Sequence, residues 1–504
     1  MNRLDQRIAL RRIARQAMLE YGLDPDFPPA ALDELARIVK PPIEPDNIPD
    51  LRELLWCSID NDDSRDLDQL TVAEPTADGG AAIRIAIADV SQTVRKDTAL
   101  DTHAKTNTTS VYTPVQIFPM LPEKLSTNLT SLNAGQDRKA FVTEIGVGAN
   151  GQVREGKVYR AIVRNHAKLA YRDVGQWLEG HVDMPAAIRA VQGLESNLRL
   201  QDEVACRLRT SRHEHGALDL DVLEPEAVVE NGEVIDLRLE PKTRAAMLIE
   251  DFMIAANVTA ASFLEQKGVP SLRRVVRSPE RWERIVEVAR EYGDRLPPDP
   301  DSKGLADFLS RRREADPATF PDLSLTIVKL LGRGEYVVET PGGTAPGHFA
   351  LAVQGYTHST APNRRFPDLV TQRLIEAALT GRPDPYEKEE LEALARRCTQ
   401  QADAASKVER RVRKAVAATM LAAHVGEVFD GIVTGASEKG TWVRIVYPPV
   451  EGKLDVGRVG LDVGHRIRVT LVRTDIERGF IDFVEASAGG RMRRPQAVPR
   501  NLQT

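Results

Sequence analysis

Cysteine is scarce in this sequence, and the few cysteines argue against the protein classes that depend on them. Only three occur in 504 residues, at Cys57, Cys206 and Cys398. They are far apart and form no pair with the spacing of a metal site, which argues against a disulfide framework. This usage predicts a reducing compartment, the cytoplasm, in which each thiol is buried as a small hydrophobe.

The sequence also lacks a long apolar run and an excess of positive charge. No uninterrupted apolar run approaches the roughly 20 residues that a helix needs to cross a bilayer, and residues 1–7 lead into no signal-peptide core. We therefore expect no membrane partner. The net charge of −6 does not indicate a general affinity for nucleic acid, so any such contact must come from local basic patches.

The remaining composition is that of an ordinary soluble globular protein. Hydrophobic residues make up 42% of the chain and charged residues 28%, which are typical values for a folded domain. A chain of this length has room for about three domains.

The first 50 residues and the region after them differ in pattern. Residues 3–21 have helical spacing, and a second short helix at 30–39 lies between two proline pairs. They predict a helical module over residues 1–50, either a helix-turn-helix-like unit or two plain packing helices. Residues 51–424 contain no strong linker, so we predict one large α+β domain. Its strand patterns come first, and its helices follow at 186–212, 243–267, 279–292, 367–379 and 388–425.

The C-terminal region changes character again. Residues 425–487 contain about five short strand patterns, which favours a small OB barrel, a fold that often binds single-stranded nucleic acid. Residues 488–504 combine four arginines with Gly, Pro and Gln, which predicts a disordered basic tail.

An acidic run in residues 58–70 is the strongest chemical feature of the sequence. It holds five aspartates in thirteen residues, Asp60, Asp62, Asp63, Asp66 and Asp68. Their spacing is too irregular for one helix face, so we predict a loop that folds back on itself. Carboxylates are hard ligands that suit Mg²⁺, and Mg²⁺ at paired carboxylates can hydrolyse a phosphodiester. A solvated acidic loop and a structural Ca²⁺ site stay open, although the EF-hand pattern fails here because its glycine and glutamate are missing.

Two basic stretches could complement this acidic run. Arg364 and Arg365 lie between two prolines, where regular helix is excluded, and guanidinium groups fixed in a loop bind phosphate well. In the same stretch Tyr356 and His358 could stack on a base or hydrogen-bond a ribose. The alternative is a structural network of arginine and carboxylate. The second stretch, residues 407–414, lies on a long predicted helix, where Arg410 could point towards the acidic site.

Together these motifs resemble the ribonuclease II/ribonuclease R family. The aspartates at 60, 66 and 68 have the spacing of the signature in that family's RNB domain, and further motifs follow in the family's order. These are Ile87-Ala-Asp-Val, Thr109-Ser-Val-Tyr, residues 119–126, Gly216-Ala-Leu-Asp, residues 248–257, Gly347-His-Phe-Ala-Leu, residues 356–368 and Val408-Glu-Arg. The C-terminal barrel resembles the family's S1 module. The resemblance covers roughly residues 50–486.

The resemblance implies a processive hydrolase that shortens single-stranded RNA from its 3′ end and releases nucleoside 5′-monophosphates. Asp60, Asp66 and Asp68 would hold Mg²⁺, and Asp68 takes the family's most critical catalytic position. Arg364 would support the scissile phosphate, and Tyr112 would stack near the 3′ terminus. Further RNA contacts are expected from Tyr356, His358, Arg365, Arg410 and, in the barrel, Trp442.

The sequence departs from the family pattern at several positions. Gln69 stands where a fourth aspartate is usual; its amide oxygen can coordinate a metal but neutralises no charge, and it could shift the preference towards Mn²⁺. Ala86 replaces a frequent histidine, and Ser359 a common aromatic. These changes support an alternative function, a catalytically weak or inactive RNA-binding protein on an RNB scaffold.

The N-terminal region departs as well. Long family members carry two cold-shock-type barrels before the RNB domain, whereas 59 residues precede Asp60 here. We expect a wider entrance, which would admit partly duplexed RNA with a 3′ overhang. A third interpretation of the function is a DNA exonuclease. The expected oligomeric state is a monomer.

Overall fold

The computed structural model describes most of the chain. The described residues are 3–39, 48–221, 225–230, 233–239, 242–317, 319–344, 346–438, 440–456 and 460–486. The predicted basic tail at 488–504 lies outside them.

The predicted helices form, with one interruption, and four further helices at 99–107, 171–178, 302–315 and 320–331 were not predicted. The prediction of a single helix over 186–212 is wrong, because Gly193 adopts a left-handed conformation (φ 83°) directly before the longer helix, a conformation that favours glycine. The helices are α1 (Arg3–Glu20), α2 (Pro29–Arg37), α3 (Ala99–Asn107), α4 (Tyr171–Leu178), α5 (Ala186–Arg189), α6 (Leu194–Glu214), α7 (Arg244–Gln266), α8 (Trp282–Glu291), α9 (Ser302–Ala315), α10 (Phe320–Leu331), α11 (Phe366–Thr380) and α12 (Lys388–Leu421). A π-helical turn spans Lys124–Leu129, and two short 3₁₀ turns span Phe349–Leu351 and Ala422–His424.

The strands form one large sheet, a closed barrel and smaller pairs. The large sheet has the order β7-β6-β3-β2-β1-β8, and its strands are β1 (Cys57–Asp60), β2 (Gln69–Pro75), β3 (Ala81–Ala88), β6 (Asp137–Val147), β7 (Val153–Arg164) and β8 (Ala167–Ala170). The pairs are β4 (Val111–Tyr112) with β5 (Ile117–Phe118), β9 (Pro225–Glu230) with β10 (Glu233–Leu239), and β11 (Ser271–Val275) with β12 (Glu335–Glu339). The barrel strands are β13 (Val428–Ser437), β14 (Gly440–Ile445), β15 (Glu451–Val456), β16 (Arg466–Asp475) and β17 (Phe480–Glu485).

The large sheet is covered on both faces, and its central strand shows why. Successive side chains of a strand point to opposite faces. In β3, Ala86 and Ala88 join the core formed with α11 and the first half of α12. Ile83, Ile85 and Ile87 join a second core formed with α4, α6 and α7. The sheet is therefore the middle layer of a large α+β domain, as predicted.

The two N-terminal helices pack onto this domain. In α1, Ala14 and Met18 share a core with Val408 and Val412 of α12. Ala31 of α2 belongs to the core of the large domain itself, next to α3. Both helices thus serve as packing elements of the domain that holds the acidic loop.

The C-terminal region forms a closed five-stranded barrel in the order β13-β14-β15-β17-β16, as predicted. Its core includes Ala417, Ala418 and Leu421 from the end of α12. One continuous helix therefore connects the large domain with the barrel interior.

One helix, α7, is long and apolar enough by length and composition to cross a bilayer. Most of its most apolar window is buried inside the protein, and Phe252, Ala256 and Leu264 contribute to the cores on the large sheet. The helix therefore has the packing of a core helix.

Candidate active site

The acidic loop connects two neighbouring strands of the large sheet. Asp60 is the last residue of β1, and Gln69 is the first residue of β2. Two hydrogen bonds to Ser131 hold the loop: the Leu67 amide donates to Ser131 Oγ (3.0 Å), and that hydroxyl donates to the Arg65 carbonyl (3.0 Å). The predicted fold-back of the loop is what the structure shows.

A polar cavity of about 360 Å³ opens above this loop. It contains Asp60, Asp66, Asp68 and Gln69, together with Tyr112 and Arg364 from distant parts of the chain. The cavity is completed by Asn61, Ser64, Tyr171, Ile249, Met253 and Thr360. All six residues that the sequence suggested for catalysis, metal binding and stacking of the terminal base therefore converge on one cavity.

Asp68 is the most deeply buried acid of this group, with 2% of its surface exposed. Its Oδ1 accepts hydrogen bonds from the backbone N–H of Asn363 (3.2 Å) and from Asn363 Nδ2 (2.8 Å). Its Oδ2 is buried and accepts no hydrogen bond. Burial raises the pKa of Asp68 to about 7; the Arg364 charge opposes this shift, and the Asp66 charge adds to it.

The donor set of the cavity fits a divalent cation. A buried carboxylate oxygen without a hydrogen-bond donor, with a second carboxylate close by, costs free energy that a bound cation would reduce. Burial also raises the pKa of Asp60, and carboxylate and amide oxygens are hard ligands. Within the described ranges, however, no three Asp, Glu, His or Cys side chains form a preassembled ligand cluster, so the carboxylates would have to close around the ion.

Gln69 and Asp62 differ in how they could take part. The Gln69 amide nitrogen donates to the Ile59 carbonyl at 3.4 Å, which leaves its Oε1 for a cation. Asp62 pairs instead with Arg172 (2.9 Å) at the surface. Asp62 is therefore engaged outside the cavity.

Arg364 reaches the cavity from a loop that is tied to the Tyr112 segment. Its carbonyl accepts from the Ser110 amide (2.9 Å), and the Phe366 amide donates to the Thr108 carbonyl (2.8 Å). The Arg364 Nε lies 3.8 Å from Asp68 Oδ2, and 46% of its side chain is exposed. The guanidinium is thus positioned at the cavity wall and still accessible to an anion.

Tyr112 forms another part of the wall. The residue is 42% exposed, and its hydroxyl lies 3.5 Å from Asp66 Oδ2. Its backbone N–H donates to Glu409 Oε1 at 3.0 Å. Burial raises the pKa of the phenol, and the Asp66 charge raises it further. The hydroxyl therefore stays protonated, and the ring offers a flat apolar face.

Tyr356, His358 and Arg365 lie behind the cavity. The Asn257 amide donates to the Tyr356 hydroxyl (3.3 Å), and His358 Nδ1 lies 2.7 Å from the Tyr336 hydroxyl. Burial lowers the pKa of His358 well below its ordinary value, and nearby arginines lower it further, so the Tyr336 hydroxyl shares this hydrogen bond with a neutral ring. These positions favour support of the Arg364 loop over the direct RNA contact that the sequence suggested.

Arg365 has a defined structural partner. Its Nη2 donates to Asp368 Oδ1 at 2.6 Å, and the same oxygen accepts from the Ala361 amide at 2.8 Å. Asp368 is fully buried. The two adjacent arginines thus face opposite ways, Arg364 into the cavity and Arg365 into the protein.

Arg410 and Trp442 lie in a separate groove of about 770 Å³ between the barrel, α12 and the end of α1. Aromatic and basic side chains line it, and they comprise Tyr21, Trp442, Phe480, Lys407, Arg410, Arg411, Lys414, Lys453, Arg473 and Arg478, with Asp455 and Asp482. Half of the Phe480 surface is exposed. The groove therefore combines positive charge with accessible rings.

Sequence reasoning missed several residues that line the cavity or support the residues that line it. Asn363 was passed over because it lies between Pro362 and the two arginines, which carried the chemical signal. Tyr171 and Thr360 belong to segments without a charged pattern. Glu409 lies on a helix face that reads as solvated, yet it binds the Tyr112 backbone. Its negative charge within a basic run was the one available clue.

Comparisons with known proteins agree with this architecture. The family model described as "RNB domain" matches residues 48–381, and the "RNase II-type exonuclease C-terminal S1 domain" matches residues 427–486. Ribonuclease R of Aquifex aeolicus is 29% identical over 92% of this chain and 69% of its own length. Ribonuclease R of Escherichia coli is 32% identical over 90% of this chain and 58% of its own length.

Solved structures share the fold. The apo form of Mycoplasma genitalium RNase R has a TM-score of 0.82 at 23% identity, covering 95% of this chain and 78% of that chain. The same protein has been solved with ribose-methylated single-stranded RNA (TM-score 0.83, 22% identity, 95% of this chain and 78% of that chain). Its complex with double-stranded RNA has a TM-score of 0.82 at 23% identity, with 95% and 83% covered.

The chain spans only part of the length of such relatives, for example 58% of the Escherichia coli protein and 52% of Ribonuclease R of Vibrio cholerae. The RNB match nevertheless covers more than half of this chain, and the barrel match follows in the family's order. The chain therefore belongs to the RNB-domain family of ribonuclease II and ribonuclease R.

Proposed function

We propose that this chain is an exoribonuclease that hydrolyses single-stranded RNA processively from the 3′ end to nucleoside 5′-monophosphates, with Mg²⁺ as the metal. The observation that carries the proposal is the convergence of Asp68, Arg364 and Tyr112 on one cavity. Membership of the RNB family and the relatives named ribonuclease R support the reaction class.

The chain's own residues divide the work of the proposed reaction. Arg364 binds the scissile phosphate, and its accessible guanidinium offsets negative charge that develops in the transition state. The Tyr112 ring stacks on the terminal base and thereby places the last phosphodiester over the aspartates.

Asp60, Asp66 and Asp68, with the Gln69 amide oxygen, would hold the cation. When bound, the cation activates a water molecule and stabilises the leaving oxygen. Asp68 has the best-defined geometry for this role, because one of its oxygens is already fixed by Asn363 and the other is left over.

The groove at the barrel provides a place for RNA upstream of the cut. Its cations would neutralise phosphates, while Trp442 and Phe480 would stack on bases without sequence preference. RNA contacts of the M. genitalium relative support an RNA partner for this chain. Contact of Arg410 and Trp442 with RNA belongs to this proposal, together with a cytoplasmic location and a monomeric state.

A second part of the proposal concerns partly duplexed RNA. The end of α1 borders the groove through Tyr21, and the M. genitalium relative was also solved with double-stranded RNA. We infer an entrance that accepts a duplex close to the cavity. Hairpins with graded 3′ overhangs test this: a substrate that is degraded only with a long overhang contradicts it.

The experiment that tests the proposal uses 5′-labelled single-stranded RNA with Mg²⁺. We expect stepwise shortening from the 3′ end that EDTA and Asp68→Asn both abolish. Asp62→Asn is a matched control. It removes one charge from the same loop, but Asp62 pairs with Arg172 outside the cavity. Loss of activity in this control to the extent seen in Asp68→Asn would contradict the assignment of the site. A DNA oligomer of the same sequence should remain intact.

Gln69 favours one alternative, a catalytically weak or inactive RNA-binding protein. The amide neutralises no charge, so metal affinity is expected to be lower than with a carboxylate. If the wild type binds RNA but leaves it intact with Mg²⁺ and Mn²⁺, Gln69→Asp decides between the explanations. Activity gained by this variant identifies Gln69 as the disarming change.

A further inference from the structure

We propose that Asn363 is a positioning residue that orients the Asp68 carboxylate, with Thr130 as its support. The proposal rests on the proposed function, because it assigns a task to Asp68 in that reaction. Asn363 lies next to the cavity arginine Arg364 but does not itself line the cavity.

Asn363 donates two hydrogen bonds to one oxygen of the Asp68 carboxylate. Its backbone N–H and its Nδ2 both donate to Asp68 Oδ1, at 3.2 Å and 2.8 Å. Only 1% of the Asn363 surface is exposed, so water does not compete for these bonds. A carboxylate held at one oxygen by two donors has a fixed plane, and its second oxygen therefore has a fixed direction.

The orientation of the Asn363 amide is itself determined by its neighbours. Its Oδ1 lies 2.6 Å from Thr130 Oγ1, and Thr130 is buried. If the amide were flipped, its carbonyl oxygen would face the Asp68 carboxylate, and two acceptors would repel each other. The Thr130 hydroxyl also lies 2.9 Å from the Leu125 carbonyl, so its single proton is shared between two acceptors. Carboxylate, amide and hydroxyl thus form a chain that ends on a main-chain carbonyl.

This series of hydrogen bonds determines which oxygen of Asp68 faces the cavity. Because Oδ1 is occupied, Oδ2 is the oxygen that remains for a cation, and it is the one that lies 3.8 Å from Arg364 Nε. A neutral donor fixes the carboxylate without neutralising it, whereas a second arginine at position 363 would compete with the metal. Asn363 therefore orients the Asp68 carboxylate and leaves its negative charge available to a cation.

The test compares Asn363→Leu and Thr130→Val with the wild type. Asn363→Leu keeps the branched shape of the side chain and the backbone N–H but removes the amide donor. Thr130→Val removes only the hydroxyl. Asn197→Leu is the matched control, because it removes a partly buried amide that bonds to the Ala73 backbone (2.7 Å) on a part of β2 away from the cavity. Two quantities are measured: kcat and KM on single-stranded RNA, and the Kd of Mn²⁺ for the RNA-free protein by electron paramagnetic resonance.

We expect Asn363→Leu to lower kcat about 10- to 100-fold, the usual effect of removing a hydrogen bond that orients a metal-ligating side chain, with KM within about twofold. Thr130→Val should have a smaller effect in the same direction. Both variants should weaken Mn²⁺ binding, whereas Asn197→Leu should change neither quantity. Loss of kcat without a change in KM distinguishes positioning from a general loosening of the fold.

The proposal is overturned if folded Asn363→Leu retains both the kcat and the Mn²⁺ affinity of the wild type. If Asn363→Leu does not fold, the same result in Thr130→Val overturns it. If the wild type does not cleave RNA, the proposed function fails, but Mn²⁺ binding still decides whether Asn363 orients Asp68.

Discussion

Two adjacent arginines are predicted to have opposite phenotypes. Arg365→Met should unfold the protein more easily, and Arg364→Met should remove activity with little effect on stability. The reason is burial: 46% of the Arg364 side chain is exposed, whereas Arg365 shares a buried hydrogen bond with a carboxylate that has no exposed surface.

The magnitudes follow from the partners. Removal of Arg365 leaves the Asp368 charge buried and uncompensated, which typically costs about 3–5 kcal/mol. Part of this cost is offset because Asp368 Oδ1 also accepts from the Ala361 amide. Arg364 is about 3.8 Å from Asp68, and its removal should change the free energy of unfolding by less than about 1 kcal/mol. Loss of a donor to transition-state charge should lower kcat about 100- to 1,000-fold.

Urea denaturation and single-turnover RNA cleavage measure the two quantities side by side. Methionine is used at both positions because it keeps much of the aliphatic volume. The reasoning is refuted if Arg365→Met is as stable as the wild type. If this stable variant also loses RNA affinity, Arg365 contacts RNA as the sequence suggested.

Three further predictions concern other parts of the molecule. Asp68→Asn should abolish cleavage yet leave the metal-free protein at least as stable, because a buried amide avoids the repulsion between two carboxylates; a lower melting temperature would contradict this. The free energy of unfolding should decrease as the pH falls below about 6.5, since the unfolded chain then protonates His358, which the folded state keeps neutral. His358→Asn should make this decrease shallower, as urea midpoints at pH 5 and pH 7.5 would reveal. Trp442→Ala should weaken binding of long single-stranded RNA about tenfold without lowering kcat on short oligomers, and unchanged binding of long RNA would remove the barrel groove from the RNA path.

Much of the fold could be predicted because it depends on local pattern. Helical spacing located α1, α7 and α12 within a few residues, and alternation located the five barrel strands. The break before α6 was missed, since a single glycine inside a helical pattern indicates a weak position but not a left-handed turn. The packing of α1 along α12 could not be predicted either, because it joins residues about 400 positions apart.

The site was predictable where charge made a pattern. Asp60, Asp66 and Asp68 stood out by density, and Arg364 by its position between prolines. The sequence could not distinguish Arg364 from Arg365, since the direction of each side chain depends on Asp368 and on the paired Thr108 and Ser110 segment. Asn363 gave no signal, because a hydrogen bond to a residue 295 positions away is a property of the fold.

The continuity of α12 has a mechanical consequence. Glu409 of this helix holds the Tyr112 backbone, and Ala417 lies in the barrel core. They are eight positions apart on the helix, about 12 Å at 1.5 Å per residue. The helix therefore fixes the distance between the barrel and the Tyr112 segment, whose ring we propose stacks on the terminal base. If RNA binds at Tyr112 and at the barrel groove as we propose, this fixed length would set the number of nucleotides between the two contacts.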